Sequence, residues 1–144
     1  YNWYAVVDPR NIAPEGWHVP TDDEWKELEM FLGMSQNQAN STGFRGTNEG
    51  SKLAGRAELW LDGVLKNDSE FGSSGFAAIP SGWRYVDDGG YYDLGRSIDF
   101  WCTSLISSTS GEYPCWRNFV YGGTGIGRSS TRPSHGVSVR LVKD

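Results

Sequence analysis

The stretch "GWHVPTDDEW", residues 16–25, most constrains what this chain can fold into. Pro14, Glu15 and Gly16 make a turn ahead of it. Thr21 is a good N-cap, and Glu24, three residues on, completes a capping box. Asp22, Asp23 and Glu24 fall in the first helical turn, where the helix dipole favours anions. Capping and a solvated face explain these acids without a catalytic role. Trp25, Leu28 and Leu32 follow at i, i+3 and i+7 and form one apolar face. Gly33 suits the residue just past the helix end. The spacing predicts one short helix over 22–32, with Trp17 packed near its start and Trp25 opening its buried stripe.

Around that helix the chain reads as short strands and loops. Residues 1–7 are aromatic and β-branched and predict a strand. Residues 34–50 and 62–75 are rich in Asn, Gly and Ser and predict loops, with a short strand or turn at 52–55 between them. An apolar strand over 75–80 is stopped by Pro80. Residues 82–86 predict a strand, 87–90 a turn, and Tyr91 and Tyr92 the return. Further strands fall at 98–103 and 116–121, with Gly122 and Gly123 as the next turn. In 136–142, Val137, Val139 and Leu141 alternate with Ser138, Arg140 and Val142. The expected fold is α+β, a single loop-rich domain over residues 1–144. One main helix comes early, and the first and last strands pair and bring the termini together.

Composition excludes several classes of function. No apolar run approaches the ~20 residues of a membrane span, so no membrane insertion by this domain is expected. Residues 1–100 hold eight Lys and Arg against 16 Asp and Glu, and residues 101–144 hold five against two. Five basic residues are too sparse a stripe for nucleic acid, which is not an expected partner. The two cysteines, Cys102 and Cys115, allow at most one disulfide, and spacing alone leaves open whether it forms. That spacing matches no zinc pattern, and His18 and His135 lie far from both, so neither metal nor cofactor is expected. Gly-x-Ser-x-Gly does not occur, and Gly123-x-Gly125-x-Gly127 lacks a following helix. Asp87, Asp88 and Asp93 offer a carboxylate pair for glycoside hydrolysis, but turn formation explains the first two better. The chain is expected to be non-enzymatic.

The segments "YNWYAV", "PEGWHVPTDDEW", "GSKLAG", "SGFAAIPSGWR", "YYDLG", "FWCTS" and "HGVSVRLVKD" follow in the order seen in FISUMP domains, the Fibrobacter succinogenes major paralogous family. The resemblance covers nearly the whole chain. It implies a C-type lectin-like fold in the branch shared with formylglycine-generating enzymes, which carry a similar Gly-Trp-x-x-Pro-Thr-x-x-x-Trp helix start. The opening stretch is then scaffold. The family often has a cysteine before the proline of Pro-x-Gly-Trp and another in its terminal strand; here those positions are Ala13 and Leu141. Cys102 stands where the family usually shows serine.

Domains of this fold also serve as variable proteins of diversity-generating retroelements, in which the last stretch is diversified and binds ligand. The tail here resembles that layout, with the variable part at about 101–135. Trp116, Asn118 and Val120 fall on one face of a strand, and Arg117, Phe119 and Tyr121 on the other. An Arg, a Phe and a Tyr on one face is a good composition for a binding surface. Residues 101–144 hold 18 Ser, Thr and Gly, as adaptable binding loops do. Two such loops are expected at 124–129 and 131–135. The expected ligand contacts are Ser104, Ile106, Tyr113, Cys115, Arg117, Phe119, Tyr121, Thr124, Ile126, Arg128, Ser129, Arg132 and Ser134. The expected partner is a protein or glycan on another cell surface, and the expected location a bacterial surface or phage virion. One alternative is a carbohydrate-binding adhesin domain of a surface lipoprotein. The calcium-lectin signatures Glu-Pro-Asn and Trp-Asn-Asp are missing, which leaves stacking on Trp101, Tyr113 or Trp116. Trp101 and Trp116 are expected in the core instead. The other alternative is an oxidase like the formylglycine-generating enzymes, whose copper would need the pair Cys102 and Cys115.

Overall fold

Helix α1 (Trp3–Val6) opens the chain in a computed structural model that describes residues 1–108 and 111–144. The strand expected over 1–7 is therefore corrected to one helical turn, which the Asn2 side chain caps by accepting from the Ala5 amide. Strand β1 (Trp17–His18) precedes helix α2 (Asp22–Phe31), which carries the expected capping box. The Thr21 hydroxyl accepts from the Glu24 amide at 3.2 Å, and the Glu24 carboxylate accepts from the Thr21 amide at 2.8 Å. Gly33, at φ +122°, ends the helix as expected. Trp25 is buried, but Trp17 is 41% exposed and packs in neither core cluster.

The stretch expected as loop over 34–50 holds helix α3 (Gln36–Asn40), strand β2 (Gly43–Arg45) and the start of helix α4 (Glu49–Leu53). A 3-10 turn (Ala57–Leu59) and helix α5 (Val64–Asn67) come next. The strand expected at 75–80 reduces to a single bridge between Ala54 and Ala78. Strands β3 (Trp83–Arg84) and β4 (Tyr91–Tyr92) form the expected small hairpin. Strands β5 (Ser97–Ser108), β6 (Gly111–Val120) and β7 (Ile126–Ser130) are longer than sequence suggests. The last strand is β8 (Val142–Lys143).

The main sheet is antiparallel in the order β2-β7-β6-β5. The termini do meet, through different pairs from those expected. Strand β8 pairs with β1, and Tyr1 exchanges two 2.9 Å backbone hydrogen bonds with Val137. The fold class is thus α+β with antiparallel sheets, as expected.

Side chains of the main sheet divide by the two-residue period of a strand. Ile98, Phe100 and Cys102 of β5 join Cys115 and Phe119 of β6 against α2 and α4, around Trp25, Leu53 and Leu65. Full burial of Phe119, Leu53, Leu65 and Ile98 contributes roughly 1.5–3 kcal/mol each. On the opposite face Trp101 packs with Val6, Val19 and Val137 in a smaller cluster, flanked by Trp3, Trp83 and Trp116. Indole hydrogen bonds fasten α1 to β5: Trp3 donates to the Cys102 carbonyl at 3.0 Å and Trp101 to the Tyr1 carbonyl at 2.9 Å. Among the described residues no helix is long and apolar enough to cross a membrane.

Candidate functional site

Strand β6 decides which expected residues can reach a ligand. Its odd positions point at α2. Asp22 and Glu29, seven residues apart on α2, put two carboxylates under the sheet, and arginines on the sheet answer them. Arg117 is fully buried; its Nε lies 2.6 Å from Glu29 Oε1, and its NH1 lies 2.9 Å from Asp22 Oδ1. Arg128 reaches Asp22 at 2.7 Å, and Arg45 reaches Glu29 at 2.6 Å. Lys26 adds a 2.9 Å contact to Asp22. Burial pushes the Asp22 carboxyl up, but hydrogen bonds from Arg128 and Lys26 and the charge of Arg117 outweigh it and hold it well below the usual range. Asp22 is therefore not part of a solvated face. It is a buried anchor, and the first-turn reading applies to Asp23 and Glu24 alone.

The expected contact face is corrected accordingly. Cys115, Arg117, Phe119 and Ile126 are fully buried and Arg128 nearly so, because each lies on the sheet face that α2 covers. The loop expected over 124–129 is largely strand β7, and the Thr124 hydroxyl is held by the Thr47 carbonyl. Ser104 accepts from the Asp22 amide at 2.9 Å and so caps α2. Ile106 and Tyr121 pack against the main core. Tyr113, Ser129, Arg132 and Ser134 stay at least partly open to solvent, and Arg132 pairs with Asp87 at 2.9 Å. Thr109 and Ser110, in the stretch expected to vary, lie outside the described residues.

Even positions of β6 face the other way, onto a cavity of about 360 Å³. Trp116, Asn118 and Val120 form one wall, with Asp99 and Ser97 of β5 beside them. The register sets these neighbours, with Asp99 opposite Asn118 and Trp101 opposite Trp116. Trp83, Asp93, Arg96, Tyr121, Thr131, His135 and Val137 complete the lining. Gly82 lets the hairpin close on this face: at φ +64°, a Cβ there would collide with the Tyr92 carbonyl. Asp93 holds a left-handed φ of 59° and accepts from the Trp83 indole at 3.0 Å.

Two features of the cavity wall stand out chemically. The Trp116 indole nitrogen is buried and, among the described residues, has no hydrogen-bond partner. Asp99 is 4% exposed and takes one side-chain hydrogen bond, from the Asn118 amide. Burial pushes the Asp99 carboxyl up to about 7, against the pull of Asn118 and with a push from the like charge of Asp93. His135 shifts the other way, since burial and the Arg132 charge disfavour its cation; its Nδ1 accepts from the Val86 amide at 3.3 Å. Sequence reading expected Trp116 in the core, put Asn118 on the strand face it did not choose and His135 at the end of a loop, and passed over Asp99. The signal that finds them is the pair of carboxylates seven apart on α2, which demands buried cations and so turns Arg117 inward.

The cysteines make a third cluster. Ligand atoms of Asp22, Cys102 and Cys115 lie within 4.8 Å of one another. Both thiols are free and fully buried, and burial pushes the Cys102 thiol far up. The Asp22 oxygens are already taken by Arg128, Arg117 and Lys26. A metal ion would enter against three cations, so the donor set fits a cation poorly.

No curated protein and no solved structure matches the chain. The family model of the Fibrobacter succinogenes major domain matches residues 1–143, and the chain belongs to that family.

Proposed function

We propose that the chain is a non-enzymatic ligand-binding module whose site is the cavity between β3, β5 and β6. The observation that carries this reading is the cavity of about 360 Å³ itself, walled by Trp83, Trp116 and Tyr121 with the polar groups of Asp99 and Asn118 among them. A concave, largely aromatic surface with a few polar groups is what small-ligand and side-chain recognition needs. The finer fold reading, a C-type lectin-like domain, is part of the proposal; the paired β1 and β8 and the antiparallel sheet above α2 support it. So is a place on a bacterial surface or phage virion, with a protein or glycan of another cell as partner. Oxidase chemistry at Cys102 and Cys115 is disfavoured because no substrate thiol reaches them through the core.

A diversified tail fits the same frame with its positions moved. Variation would then fall on Trp116, Asn118, Val120 and Arg132, and spare Arg117, Phe119 and Ile126. Codon-resolved sequencing of the locus in its source population tests this, and flat variation along the chain removes the retroelement reading. Carbohydrate binding is the second reading, favoured by the planar pair Asp99 and Asn118 beside an indole. The binding test is a glycan and surface-protein array probed with the wild type and Trp116→Ala, which removes an aromatic wall of the cavity. Signals that weaken in the variant support the cavity; signals indifferent to it move the site elsewhere.

A further inference from the structure

Three buried carboxylates lie near the main sheet, and only one borders this cavity. Asp22 is met by Arg117, Arg128 and Lys26. Glu29 is met by Arg45 and Arg117. Asp99 has the Asn118 amide, and the neighbouring charge that acts on it is Asp93, of the same sign. A further buried acid, Glu49, accepts from the Thr47 amide and is not on the cavity wall. The fold thus neutralises Asp22 and Glu29 on the inner face and, among the described residues, leaves Asp99 without an ion pair on the outer one. Around Asp99 stand the rings of Trp83, Trp116 and Tyr121. Ring faces attract cations, and a desolvated contact of this kind is worth about 2 kcal/mol.

On the basis of the ligand-binding reading above, we propose that the cavity takes a primary ammonium group, seated against Asp99 with its alkyl stem along Trp83 and Trp116. Asp93 adds a second negative charge at the opening. Arg96 and His135 also line the cavity. His135 is held towards its neutral form, so Arg96 faces the two carboxylates Asp93 and Asp99 in the lining. One negative charge is therefore left in excess when Asp99 is ionised. Two sources supply this chemistry: a free alkylamine, or a lysine side chain on a protein.

Calorimetry at pH 7.5 with n-pentylammonium and with 1-pentanol separates charge from apolar fit. A short lysine peptide and its Nε-acetylated form separate the two sources. Indole N–H resonances of Trp83 and Trp116 report where each probe sits. Pentylammonium should bind at least tenfold tighter than pentanol and shift both indoles. Below pH 7 its affinity should fall about tenfold per pH unit as Asp99 takes up a proton. Asp99→Asn should abolish the preference while the protein stays folded, and Glu112→Gln, an exposed acid off the cavity wall, should leave it intact. A lysine peptide that outbinds its acetylated form assigns the ligand to protein; pentylammonium binding without it assigns a free amine. Equal binding of pentanol, or binding of methyl glycosides in place of ammonium, overturns the cation inference and leaves the ligand-binding reading standing. No indole shift with any probe overturns both.

Discussion

Asp99 and Arg117 are the two residues whose surroundings make the strongest demands. Asp99 gives up its proton near pH 7 in the folded protein, whereas in the unfolded chain a carboxyl does so near ~4. Between these values the folded state holds a proton that the unfolded state has lost, so stability falls as pH rises from about 4 to about 7 and is level above. The shift corresponds to a loss on the order of 4 kcal/mol. Asp99→Asn removes it. Chemical denaturation at pH 5 and pH 8 should find the variant close to wild type at the lower value and more stable at the higher. Arg117 is the opposite case, a buried charge with partners on every side. Arg117→Ala leaves Glu29 and Asp22 short of a cation and should cost about 3–5 kcal/mol, read as a drop of roughly 10 °C in melting temperature. An unchanged melting temperature would return Arg117 to the surface. Neither residue was legible from composition. An Arg beside a Phe and a Tyr looks like a contact patch until the acids beneath the strand are counted. Asp99 looks like any strand acid until its neighbour Asn118 is seen as its donor.

Helix α2 was legible because its signals are local. Thr21, Glu24 and the spacing from Trp25 to Leu32 need no other part of the chain to be read. Its N-terminus uses two oxygens, Thr21 for the Glu24 amide and Ser104 for the Asp22 amide. Thr21→Ala should lower stability by about 1 kcal/mol, with Thr21→Ser restoring most of it in urea titrations. No effect would mean that Ser104 and solvent suffice. The short helices α3 and α4 were not legible. Five residues carry too little periodicity to distinguish a helix from a loop. Distant contacts hold them: Arg128 donates to the Asn40 and Ser41 carbonyls, and the Ser51 amide donates to Thr124. Segment 136–142 failed in the other direction. Its alternation is that of a strand, yet it pairs one residue at a time, Gly136 with Arg84, Val137 with Tyr1 and Ser138 with Phe100. Each bridge goes to a different neighbour, so no ladder forms.

Across the whole molecule, charge is arranged in three layers that respond to different ranges of pH. The inner layer is Asp22 with its arginines. Its depressed carboxyl adds stability above about pH 4 that disappears as the medium becomes more acid. The outer face carries Asp99, whose contribution weakens from about pH 4 to about 7. The third is the clasp that closes the chain. His18 on β1 lies 2.6 Å from Asp144 and 2.7 Å from Glu24, and these partners, Asp144 first, push its pKa up. A raised histidine stabilises below its unfolded value of about 6.5, and that help is lost as pH rises through the folded value. The pair is half exposed and salt-screened, so its effect falls mainly on local opening of β1 and β8. Together the three layers place greatest stability near pH 4, with a decline towards pH 8. Thermal melts from pH 3 to pH 9 test this directly. Asp99→Asn should flatten the decline between about pH 4 and 7 only. His18→Asn should instead speed amide exchange at Val142 and Lys143 at pH 5, and approach wild-type rates at pH 8. A stability maximum at pH 8 or above would mean that Asp99 ionises like a surface carboxylate, and the cavity would lose the charge on which its selectivity rests.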